Sequence, residues 1–259
     1  MKLSIITVNL NNAESLRKTV DSVVNQSFVD YEYIIIDGGS TDGSIEVIKE
    51  YADKITYWVS EPDNGIYNAM NKGILKAKGE YCYFLNSGDW LIDINSISSI
   101  FYYQPVEDII YCNIETTQGL IVYPLKLSLL FFFSGTICHQ AAFLKTNLFY
   151  RFGIYNENLK IVADWEFFIK AIILNNCSYK YINKIVSFFE LGGISSKEDI
   201  LVKNEKLDYF RQKQPIVYEI YIHYLATEQQ LLFYKNSRLI QFVKKMQESS
   251  LYRKIRNIS

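Results

Sequence analysis

The sequence predicts an α/β protein with a mainly parallel sheet flanked by helices in its first half, a mixed second half and a helical C-terminal tail. Three observations predict it. β-Branched apolar runs alternate with amphipathic segments of helical period over the first ninety residues. Two of those runs, Tyr33 to Ile36 and Tyr81 to Leu85, stop abruptly at Asp37 and at Asn86-Ser87-Gly88-Asp89. The chain has 259 residues, 49% of them hydrophobic. That suffices for one sizeable core plus an appendage, since single cores stop growing near ~250 to 300 residues.

Leu3 to Val8 reads as a first strand, and Leu16, Val20, Val23 and Val24 share one face of a first helix. Asn11 and Glu14 stand at capping-box spacing before it. After the strand at 33–37, Asp42 is placed to cap a second helix that turns Ile45 and Ile48 inward, and Ile55 to Val59 makes a third strand. A third helix runs from about Ile66 to Ala77, with Ile66, Met70, Gly73, Ile74 and Ala77 on one side and Gly79 placed to end it. The strand Tyr81 to Leu85 completes the alternation, which right-handed crossovers turn into a parallel sheet covered on both faces.

From residue 108 the pattern is mixed. Ile109 to Tyr111 and Leu120 to Val122 read as short strands around Thr117-Gln118-Gly119, and Ala141 to Leu144 as another. Asp164 opens a helix whose apolar face is Phe167, Phe168, Ala171, Ile172 and Leu174. Strand-like Tyr179 to Phe189 and a turn at Gly192-Gly193 follow. One domain is expected over 1–200, in halves of 1–90 and 91–200, with a helical extension over 201–259.

Composition excludes several classes. A formal charge of −1 argues against attraction to nucleic acid, which needs a broad Lys/Arg excess. Cys82, Cys112, Cys138 and Cys177 show no CxxC pair and no zinc-finger spacing, so they are expected as free buried thiols. Leu3 follows Met1-Lys2 with no room for a signal peptide, so a cytoplasmic protein is expected. The apolar segment Leu125 to Phe133 is too short for a membrane span, which takes ~20 residues. Residues 235–259 carry seven Lys/Arg against one Glu, with Leu239, Val243 and Met246 on one face. Such a helix suits peripheral contact with an anionic membrane, or packs on the domain with its basic side solvated.

In open α/β sheets ligands bind beyond the carboxyl ends of the strands, which is where Asp37 and Asp89 fall. No GxGxxG follows the first strand and no GxxxxGK[ST] occurs, so phosphates would need another counter-charge. An acid after the fourth strand supplies one by holding a divalent ion.

Ser4 to Asn9, Asp37-Gly38-Gly39-Ser40-Thr41-Asp42-Gly43, Glu61 to Gly73, Gly79 to Asp89, His139-Gln140 and Asp164-Trp165-Glu166 together resemble family 2 glycosyltransferases, the inverting GT-A-fold enzymes of bacterial polysaccharide synthesis. The resemblance implies a nucleotide diphosphate sugar donor, UDP-linked, and a saccharide or lipid-linked oligosaccharide acceptor in capsule, O-antigen or exopolysaccharide synthesis. It implies Mg²⁺ or Mn²⁺ on Asp89, with Asn86 orienting it, and work at the inner face of the membrane. By the same resemblance Thr7 and Asn9 border the nucleotide, and Asp37 accepts from the base, a turn-forming role being its alternative. Glu61 and Asp63 line the base and ribose side, and Lys72 approaches the donor. Asp164 is the base that deprotonates the acceptor hydroxyl. His139 and Gln140 touch the diphosphate or complete the metal shell, with a core histidine as the alternative. Trp165 offers a face to a sugar or is buried beneath the sheet. Relatives carry Asp-Asp where this chain has Gly88-Asp89, an acid at Asn68, and Glu where Ala163 stands. A sugar nucleotidyltransferase and a non-catalytic saccharide-binding scaffold are the rival readings. The first lacks its Gly- and Arg/Lys-rich loop between Thr7 and Asn12, and the second has only Gly88 and Ala163 in its favour.

Overall fold

The computed structural model describes residues 1–190 and 199–237. Two compact units divide the chain, the first ending at Glu205 and the second beginning at Lys206. In the first unit, β1 (Leu3–Asn9), α1 (Ala13–Val24), β2 (Tyr31–Asp37), α2 (Ser44–Glu50), β3 (Tyr57–Ser60), α3 (Ile66–Lys76) and β4 (Tyr81–Phe84) alternate as expected. Then come β5 (Trp90–Leu91), α4 (Ser96–Phe101), β6 (Ile109–Thr116), β7 (Gly119–Ile121) and α5 (Leu129–Ser134). A 3-10 turn at His139–Ala141 leads into β8 (Ala142–Lys145), α6 (Asn147–Phe152), α7 (Ala163–Phe168) and β9 (Tyr179–Phe189). Beyond Ile169 the α7 segment widens into a π-helix over Ile169–Leu174. Two further helices are α8 (Asp199–Lys213) and α9 (Pro215–Asn236). The Gly192-Gly193 turn and the basic residues from Arg238 onward lie outside the described residues.

One sheet runs β3-β2-β1-β4-β8-β6-β9-β5, with β7 paired to β6. The first four strands are parallel, and β8 enters antiparallel to both β4 and β6. β6 and β9 are parallel again. Apolar side chains of β1, β2 and β4 (Ile5, Ile6, Ile34 to Ile36, Tyr81 to Phe84) are wholly buried, as a sheet covered on both faces requires. Register places Asn9 beside Asp37 and Asp37 beside Ser60, so three strands deliver polar ends in one row.

Several local expectations change once the chain is folded. The Asn11/Glu14 capping box does not form: Asn11 has φ 48° and its Oδ1 accepts from Thr41 N–H at 2.9 Å. Asp42 instead serves two helices, accepting Ala13 N–H on Oδ2 (2.9 Å) and Ser44 N–H on Oδ1 (3.1 Å). Both N-termini converge on this edge, and one carboxylate answers the positive ends of both. α2 buries Val47 with Ile48 rather than Ile45, and α3 buries Tyr67 rather than Ile66. Gly79 does not end α3, which stops at Lys76 with Ala77 extended. A Cβ at Gly79 would lie 2.5 Å from the main chain of Leu3 and Ser4, so the glycine lets β4 enter against β1. Beside it the buried Glu32 accepts Ser4 Oγ (2.6 Å) and the Lys78 and Gly79 N–H groups. No helix among the described residues is long and apolar enough to cross a membrane.

Candidate active site

The row at the ends of β1, β2 and β3 is a closed knot around Asp37. Its Oδ1 accepts Asn9 Nδ2 (2.7 Å) and Ser40 Oγ (2.6 Å), and its Oδ2 accepts Gly39 N–H (3.2 Å), Ser40 N–H (2.8 Å) and Ser60 Oγ (2.6 Å). Burial alone would raise its pKa, but the bonds from Ser40, Ser60 and Asn9 outweigh that and hold it below the usual carboxylate range. With 0% exposure and five donors, Asp37 braces the loop that follows β2, which matches the turn-forming alternative of the expectation. Thr7 is fully buried, donates to Leu85 O at 2.7 Å and bonds Tyr33 Oη at 3.0 Å, tying β1 to its neighbours.

Outside this knot stand the residues of the loop after β3. Asp63 accepts Gly65 N–H on Oδ1 (2.9 Å), and its Oδ2 lies over Gly38, 2.5 Å from where a Cβ of that glycine would be. Glu61, 51% exposed, pairs with Lys72 Nζ at 2.8 Å, and Lys72 also donates to Pro62 O at 3.1 Å. Lys72 thus arches over the loop, already paired with an acid.

Asp89 follows β4 and is 4% exposed. Its Oδ2 accepts Gln140 Nε2 at 2.7 Å and its Oδ1 accepts Glu190 N–H at 3.2 Å. Burial pushes its pKa up to about 6, against the Gln140 bond and the nearby His139. Gln140 is held by its main chain, whose carbonyl accepts Tyr83 Oη (2.9 Å) and Ser187 Oγ (2.8 Å). Its Oε1, like Asn86 Oδ1 and Asn9 Oδ1, is buried with no hydrogen-bond partner. Among the described residues no three His, Cys, Asp or Glu side chains converge as a metal site. A buried carboxylate bonded to an amide whose own oxygen is unsatisfied nevertheless fits a hard divalent cation, which prefers oxygen ligands.

A second chain of contacts starts from Asn86. Its Nδ2 lies 2.9 Å from His139 Nε2. With the amide turned so that its nitrogen faces the ring, Nε2 accepts and the imidazole proton is assigned to Nδ1, 3.3 Å from Asp164 Oδ2. Asp164 stands in the first turn of α7, where the helix dipole favours a carboxylate. Its Oδ1 accepts Trp165 N–H at 2.7 Å and Tyr67 Oη at 3.3 Å. Tyr67 also donates to Ile161 O, which anchors α3 to the approach of α7. Trp165 is 1% exposed and donates Nε1–H to Phe132 O at 2.7 Å. Of the two expectations for Trp165 the structure shows the buried one, because the hydrophobic effect draws so large a side chain into the core once its N–H is satisfied.

The sequence reading missed Tyr67, Ser60 and Glu190. Tyr67 lies one residue along from Ile66, which the helical period places on the inward face of α3. Ser60 carries no motif, and Glu190 meets Asp89 across 101 residues.

Residues 4–101 match the model of Glycosyl transferase family 2. An uncharacterized glycosyltransferase of Mycobacterium tuberculosis is 31% identical over 206 residues, covering 76% of this chain and 78% of that one. A PGL/p-HBAD biosynthesis glycosyltransferase of Mycobacterium bovis is 30% identical over 202 residues, covering 74% and 78%. Staphylococcus aureus TarS 1–349, solved with UDP-GlcNAc, superposes with a TM-score of 0.64 at 19% identity, over 76% of this chain and 61% of that one. This chain thus spans about three fifths of the TarS structure. The mannosyltransferase PcManGT of Pyrobaculum calidifontis, solved with GDP-Man and Mn²⁺, gives 0.60 at 14% identity over 98% and 82%. By its identity to these relatives over three quarters of its length the chain belongs to glycosyltransferase family 2, and its solved neighbours share its fold, the GT-A fold.

Proposed function

We propose that the protein transfers a hexosyl group, with inversion, from a UDP-sugar to a hydroxyl of a saccharide or lipid-linked oligosaccharide. The observation that carries this reading is the bonded chain Asn86, His139, Asp164, which joins the end of β4, where Asp89 stands, to a buried carboxylate at a helix mouth. Residues 1–90 grip the donor, and 91–200 receive the acceptor. Asp164 takes the proton of the attacking hydroxyl as the new C1–O bond forms and the bond from C1 to the diphosphate breaks on the opposite face. His139 orients Asp164 through Nδ1–H, and Tyr67 and the Trp165 N–H hold its other oxygen. Mg²⁺ or Mn²⁺ bound at Asp89, with Asn86 and Gln140 beside it, would offset charge developing on the leaving diphosphate. Asp63, with its carboxylate over Gly38, and the Glu61–Lys72 pair line the nucleoside side.

Solved neighbours hold UDP-GlcNAc and GDP-Man, and one relative is named for PGL/p-HBAD biosynthesis, which supports a nucleotide-sugar donor and a lipid-linked acceptor. In this reading the enzyme works in the cytoplasm at the inner membrane face, its basic C-terminal residues meeting anionic lipid. Asp164→Asn tests the chemistry. Hydrolysis of the UDP-sugar should be lost while UDP affinity stays within a few-fold of wild type, and unaltered turnover would remove Asp164 as the base.

A further inference from the structure

We propose that Glu190 supplies a second carboxylate to the cation site at Asp89, standing where residue 88 has no side chain. The inference rests on the donor reading above and adds a ligand from the far end of β9. Gly88 adopts φ +105°, a conformation that glycine tolerates without strain. A Cβ there would lie 3.3 Å from Glu190 Oε2, so the glutamate carboxylate occupies the direction in which a side chain of residue 88 would project.

The main chain of Glu190 is meanwhile pinned to Asp89, its N–H donating to Oδ1 at 3.2 Å. The two acids are thereby brought side by side by an unlike pair of elements, and no Lys, Arg or His among the described residues pairs with Glu190. Two adjacent carboxylates without a counter-cation repel one another.

A third, independent observation points to what belongs between them. Gln140 is 2% exposed and uses its Nε2 on Asp89, yet its Oε1 on the same amide has no partner, and neither has Asn86 Oδ1. Buried acceptors without donors are rare in folded proteins and are commonly explained by a bound ion or water. Two carboxylates, with the unpartnered oxygen of the Gln140 amide that bonds Asp89, offer oxygen ligands that balance a divalent charge and suit Mg²⁺ or Mn²⁺ better than a thiophilic metal. A cation so held is drawn by protein charge as well as by the nucleotide.

The test is UDP affinity measured calorimetrically with Mn²⁺ and with EDTA, for the wild-type chain and for Glu190→Gln. Mn²⁺ should tighten UDP binding by at least about tenfold in the wild type. Glu190→Gln should lose most of that gain while its affinity in EDTA stays unchanged or improves, since a negative charge has gone. An equal Mn²⁺ gain in both proteins overturns the assignment of Glu190. Equal UDP binding by the wild type with and without Mn²⁺ also overturns it but leaves the nucleotide reading standing. A wild-type protein that takes up neither UDP nor GDP overturns both.

Discussion

Asp37→Asn distinguishes a structural brace from a base-reading residue. The new amide must place an NH₂ where one carboxylate oxygen stood. On the Oδ1 side this is tolerable, because Ser40 Oγ can rotate to accept and Asn9 can turn its unpartnered Oδ1 toward it. On the Oδ2 side the N–H groups of Gly39 and Ser40 only donate, so the amide oxygen stays there. Every surviving bond then loses its charge assistance. Bonds to charged groups contribute ~1.5–3 kcal/mol against ~0.5–1.5 for neutral ones, so several such losses, less the relief of burying no charge, come to about 3 kcal/mol. For a unit of this size that lowers the unfolding temperature by roughly 6–12 °C. The pH dependence has a definite sign. Because the folded-state pKa is depressed, the charge contributes stability above the unfolded value of ~3.9 and loses it as pH falls through the folded pKa. The gap between wild type and variant should therefore be full at pH 7 and close below about pH 4. Urea midpoints over that range, with UDP titrations at pH 7, make the measurement. A variant that unfolds within about 1 °C of wild type yet loses UDP affinity more than about tenfold would refute the brace and restore Asp37 as a base contact.

Asp164→Asn should lower turnover by at least ~10², the upper part of general-base effects being ~10⁴, with UDP affinity nearly unchanged in the same titration. Gly79→Ala should destabilise by about 2–3 kcal/mol, read as a lower urea midpoint, because its Cβ meets rigid backbone of Leu3 and Ser4 at 2.5 Å; an unchanged midpoint would show that β4 can shift to make room. Deleting residues 236–259 removes six of the seven basic residues of the tail and should reduce sedimentation with anionic vesicles at low salt, and equal sedimentation would reject membrane contact through that segment.

What the sequence by itself determined is what local pattern encodes. The alternation of apolar runs and helical faces specified the parallel half, because periods of two and 3.6 residues dictate which side each element buries. The abrupt ends of those runs marked Asp89 and Asp37 as edge residues, and the motifs carried the family. What only the tertiary structure decided is which donors converge on each acid. Asp37 sits at the end of its strand as expected, yet the register of three strands surrounds it with donors and closes it. Thr7 and Trp165 are buried for the same reason, since packing rather than spacing sets where a side chain points. Tyr67 on α3 reaches Asp164 on α7 across 97 residues, and Glu190 reaches Asp89 across 101 through a sheet order that places β9 beside β5. Such contacts leave no local trace: each residue's own neighbourhood is ordinary, and only chain topology brings the charges together.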